Sequence, residues 1–77
     1  MNIETVRKQY KRLEANNNHT AAGILLAKHF GTEQDQERMQ HIQEVHEREG
    51  SIPHDLYQER YKITQPLYQI MMGIQNA

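Results

Sequence analysis

Cysteine is absent from this chain of 77 residues. Its absence excludes disulfide staples, thiolate nucleophiles and thiolate metal ligands, and it fits a reducing, cytoplasmic setting. No apolar run approaches the roughly 20 residues that a membrane-spanning helix needs. The opening MNIETVRKQYKRLE has no uninterrupted apolar stretch of the kind that marks a secretory signal, so the sequon at Asn18 is expected to carry no glycan. Charge of one sign is lacking too. Nine basic residues stand against ten acidic ones, which removes any general pull toward nucleic acid or an anionic membrane. Apolar residues are sparse, at 36%, and that composition alone would permit disorder. Their spacing argues the other way.

Ile3, Val6, Tyr10 and Leu13 fall at intervals of three and four, one face of a helix over about 3–15. Glu4 precedes Lys8 by four residues, a favourable surface pair. Asn16, Asn17 and Asn18 should break this helix, because Asn competes for backbone hydrogen bonds and tolerates left-handed geometry. A second helix is expected over about 20–30, capped by Asn18 or Thr20 and stopped by Gly31. Its apolar residues, Ala21, Ala22, Ile24, Leu25, Leu26, Ala27 and Phe30, surround almost the whole circumference. A helix apolar all round is a buried one, which places it at the centre of the fold with Leu25, Leu26 and Phe30 in the core.

Thr32 reads as the N-cap of a third helix over about 33–49. Glu33, Asp35 and Glu37 sit where the helix dipole favours anions, and Gly50 ends the segment. Met39, Ile42 and Val45 make a narrow apolar stripe. A fourth helix should begin near Pro53, whose fixed φ suits a first helical turn. Leu56, Ile63, Leu67, Ile70 and Ile74 form one stripe on it, and Tyr57, Tyr61, Tyr68 and Met72 form another. At ~100° per residue the combined apolar arc spans roughly 200°. Pro66 lies inside this segment and cannot donate to the carbonyl of Lys62, so a kink or a break is expected there. No segment alternates with period two. The fold class read from the sequence is therefore all-α: a single domain, residues 1–77, forming a bundle of three to five helices with a long last helix.

Five histidines raise the question of a metal. Paired helical ligands need a spacing of three or four, whereas His41 and His46 are five apart and face different sides. H-E-x-x-H and the E-x-x-H of di-iron bundles are both missing. The dipeptide His54-Asp55 occurs in metal phosphohydrolases, but those spread further histidines and aspartates over a much longer helical domain. There is no Ser-His-Asp set, glycine-rich phosphate loop or Walker pattern. The expectation is a non-enzymatic protein without metal or cofactor.

The segment LAKHFGTEQDQERMQHI is superficially similar to a helix-turn-helix, with Ala27 and Gly31 at the required spacing. That motif wants an aliphatic residue six positions after the glycine, where this chain has Glu37. Glu33, Asp35 and Glu37 would also meet phosphates with the wrong charge. Arg7, Lys8, Lys11 and Arg12 form a basic group that suits contact with nucleic acid or an acidic partner, or serves as a solvated helix face. The leading expectation rests on the last helix. Tyr and Met are enriched where proteins meet, and an arc of that width exceeds what a peripheral helix hides. Tyr57, Tyr61, Tyr68 and Met72 are thus expected to line a contact with a protein partner, either a second copy in a homodimer or a larger macromolecule. The chain would inhibit or regulate that partner, as small phage or mobile-element proteins do, and a helix-turn-helix-like nucleic-acid-binding regulator is the alternative.

Overall fold

Residues 3 to 15 coil into the first helix, α1 (Ile3–Ala15), in a computed structural model that describes residues 2–73. The Asn2 side chain caps it by accepting from the Glu4 amide at 2.8 Å. At its far end the Asn17 amide donates to the Glu14 carbonyl and the Asn18 amide to the Leu13 carbonyl, the paired bonds of a Schellman motif. Asn17 takes the left-handed conformation this requires, with φ 58°. The asparagine run is therefore a stop signal with a geometric reason.

The next helix, α2 (His19–Phe30), starts one residue earlier than expected. Of the two candidate caps, Asn18 occupies the N-cap position, its carbonyl accepting from the Ala22 amide at 3.0 Å. Asn18 makes no side-chain capping bond, and Thr20 is buried with its hydroxyl accepting from Arg60 at 3.0 Å. A third helix, α3 (Glu33–Glu49), opens on a capping box in which Thr32 and Asp35 exchange two bonds of 3.1 Å. It closes on Gly50 at φ 78°, a conformation that costs glycine little.

The last helix, α4 (His54–Met72), is preceded by Pro53 as its N-cap rather than as its first helical residue. It is one helix through Pro66, not two. Lys62 and Pro66 are both exposed, so water can serve the carbonyl that the proline leaves without a donor. Ile74 lies outside the described residues.

These four helices form an all-α bundle, and the described residues contain no strand. As its circumference of apolar residues implies, α2 touches all three other helices. Ala22, Leu26 and Ala27 are fully buried, and Leu26 and Ala27 pack in one cluster with Val6, Met39, Ile42, Leu67 and Met71. Gly23 lets α2 approach closely: a Cβ there would stand 2.5 Å from Met39 Cε and 3.0 Å from Thr64 Cγ2. Leu25 and Phe30 are only half-buried against this core, because α2 is covered on three sides and not on the fourth. Two arginines tie the helices from outside. Arg38 of α3 holds Glu59 of α4 by bonds of 2.6 and 2.7 Å, and Arg7 Nε of α1 donates to the Met71 carbonyl at 2.9 Å.

Candidate protein-interaction site

The buried line of α4 runs through Leu67, on the inner edge of the first stripe, and Met71, which lies between the two stripes. Each stripe thus turns one edge inward and leaves the other outside. On one side Ile70 is 54% exposed; on the other, Tyr57 is 51% and Tyr61 59% exposed. The second edge does not stand alone. It borders a cleft between α1, α2 and α4 of about 200 Å³, and all four tyrosines of the chain line it.

The floor of the cleft is ordered by specific contacts. Tyr68 of α4 packs on Tyr10 of α1, ring centroids 5.5 Å apart and planes tilted by 45°, within the range of stabilising aromatic pairs. Burial, reinforced by a hydrogen bond to Glu14 and by its charge, holds the Tyr10 phenol well above the ordinary tyrosine value. Glu14 also pairs with the His19 ring across the asparagine turn. Its carboxylate is therefore engaged from two sides.

Arg60 stands across the cleft. It is half-buried, with its guanidinium carbon 5.1 Å from the centroid of the Tyr57 ring. One of its nitrogens donates to the buried Thr20 hydroxyl. No carboxylate of the described residues lies within ion-pair distance of it, in contrast to Arg7, Arg38 and Arg48, which are paired with Glu4, Glu59 and Glu49. A shallower groove continues from Tyr57 and Tyr61 toward His54, Gln58 and Lys62.

The structure thus divides the contact expected from the sequence. Tyr57 and Tyr61 present their side chains outward. Tyr68 is half-buried on Tyr10, and Met72 is half-buried against the core and does not line the cleft. The basic group divides as well. Lys8, Lys11 and Arg12 are exposed on α1, while Arg7 is half-buried and bound to Glu4 and Met71. Glu4 accordingly pairs with Arg7 at 2.7 Å, the partner expected to be Lys8. At the start of α3, Glu33 and Glu37 are exposed and Asp35 closes the capping box.

Sequence reasoning missed Arg60, Tyr10, Glu14 and His19 as one constellation. Arg60 did leave a signal: it follows Leu56 by four and precedes Ile63 and Leu67 by three and seven, where the apolar stripe calls for an apolar residue. Among the described residues no three His, Asp or Glu side chains are grouped so as to hold a metal ion. No helix of the described residues is long and apolar enough to cross a membrane. Neither a protein-family model, nor a curated protein, nor a solved structure matches this chain.

Proposed function

We propose that this protein is a non-enzymatic interaction module that docks on a larger protein through the tyrosine edge of α4 and regulates or inhibits it by occupying its surface. The observation that carries this reading is the exposure of Tyr57 and Tyr61, one helical turn apart, at the mouth of a cleft that gathers every tyrosine of the chain. Amphipathic rings held on a rigid helix supply contact area at low entropic cost, which is why interfaces favour them. A partner of different sequence fits this edge better than a second copy. Two-fold pairing along it would bring Arg60 toward its own image, and Glu14, which lines the same cleft, is already bound to His19 and Tyr10.

The test is photocrosslinking in the cells that make the protein, with a benzophenone amino acid in place of Tyr61 or, as the control, of exposed Gln40 on α3. A discrete adduct at position 61, weak or absent at position 40, is the expected result. Tyr57→Glu in the same chain should abolish the adduct while the circular dichroism stays helical, since Tyr57 is half outside. Equal crosslinking at both positions would refute the proposal.

A further inference from the structure

Resting on that reading, we propose that the cleft anchors the partner by a carboxylate: an Asp or Glu side chain of an acidic segment seated on the Arg60 guanidinium, its apolar neighbours lying on Tyr57 and Tyr61.

Among the described residues Arg60 is the only half-buried cation lining the cleft, and the groups that meet its charge there are neutral, the Thr20 hydroxyl and the Tyr57 ring. A guanidinium has five N–H donors, and the bond to Thr20 uses one. The others meet no acceptor among the described residues. Glu14 lines the same cleft but is bound to His19 and Tyr10, so it is not the missing counter-ion. Pinned at both its hydroxyl contact and its stacking face, Arg60 is pre-organised for the parallel pair of bonds that a carboxylate accepts. Less side-chain freedom then has to be given up on binding.

Size and charge narrow the guest. The cleft, about 200 Å³, is smaller than the roughly 300–1,000 Å³ of small-molecule sites, yet it opens onto an exposed aromatic edge. That shape suits the end of one side chain whose backbone continues outside. A cationic guest, which an arrangement of tyrosine rings otherwise welcomes, would meet the Arg60 charge already lying over Tyr57. A phosphate carries nearly two negative charges, and here it would find a single guanidinium to answer them. One negative charge, planar and with two acceptor oxygens, matches the site.

The experiment is selection of a random peptide display library on the immobilised full chain. It is followed by calorimetric titration of enriched peptides, synthesised singly, into wild type, Arg60→Gln, Arg60→Lys, and Tyr57→Ala with Tyr61→Ala. Enriched peptides should carry Asp or Glu next to aromatic or aliphatic residues. Affinity should fall about tenfold or more with Arg60→Gln and less with Arg60→Lys. Because Arg60→Gln also removes the bond to Thr20, the decisive arm leaves the protein intact. The peptide's own Glu→Gln change should cost wild type a similar factor and cost Arg60→Gln almost nothing.

Two results would overturn the anchor while leaving the interaction module standing. One is peptides that need Tyr57 and Tyr61 but contain no acidic residue. The other is binding that depends on a phosphorylated residue or is displaced by inorganic phosphate. If nothing enriches on wild type beyond what enriches on the Tyr57→Ala, Tyr61→Ala variant, the interaction reading fails and the anchor with it.

Discussion

Arg38 and Glu59 face each other across α3 and α4 with two parallel hydrogen bonds, Nε to Oε2 at 2.6 Å and Nη2 to Oε1 at 2.7 Å. This bidentate geometry is the one in which a solvent-facing ion pair has the best chance of contributing. The hydrogen bond from Arg38 holds the Glu59 carboxyl below its usual value. A depressed carboxylate contributes stability that is present above its unfolded pKa of about 4.3 and is lost as pH falls through the lower folded value. Glu59→Gln should therefore lower the urea midpoint at pH 7, and the gap from wild type should close in acid below pH ~4. Urea titrations across that range check it. A gap that is constant with pH would mean that Glu59 acts by packing and not by charge.

Leu26 and Leu25 are neighbours in sequence with different fates. Leu26 is fully buried where α2 meets the other helices, whereas Leu25 is covered only in part. Leu26→Ala should cost ~2–5 kcal/mol, most of the stability of so small a domain. Leu25→Ala should cost about half as much, in proportion to the apolar area it removes from water. Thermal melts of the two variants, read by circular dichroism at 222 nm, separate them. Equal losses would place both on the buried side of α2.

Tyr10 should make the fold sensitive to alkali. Its phenol is held above the unfolded value of about 10 by burial first and by Glu14 second. The folded state thus prefers the neutral ring. Its contribution is complete below pH ~10 and is lost as pH rises toward the folded value. Between pH 9 and 11.5, wild type should lose stability more steeply than Tyr10→Phe, which has no proton to release. Urea midpoints at intervals of pH measure both slopes. Parallel slopes would count against the assigned environment.

Lys8, Lys11 and Arg12 point into solvent from α1 with no ion-pair partner among the described residues. If they serve solubility, changing all three to Gln should move stability by no more than about 0.5 kcal/mol, the usual range for surface substitutions. Peptide binding at the tyrosine cleft should be unchanged. A gel-shift or anisotropy titration with duplex DNA at low salt supplies the contrary outcome. Salt-dependent binding lost in this variant would move the function toward nucleic acid.

The bounds of α1 and α3, and most of those of α2 and α4, were legible in the sequence. Helix ends are decided within a turn or so of chain, and the signals lie there: the asparagine run that ends α1, the Thr32 cap that opens α3, Gly50 that closes it. The central place of α2 was legible too, because an apolar circumference allows no other position. What the sequence could not decide is which edge of each apolar arc stays outside. Helix crossing settles that, and crossing depends on how closely whole helices approach, as at Gly23 against Met39 and Thr64. The same approach puts Thr20 beside Arg60, forty residues apart, and sets Tyr68 on Tyr10. Periodicity reports that a side chain shares a face with its neighbours along one helix. Only the packed bundle decides what stands opposite that face, and so only it reveals Arg60 as a half-buried charge with no carboxylate partner among the described residues.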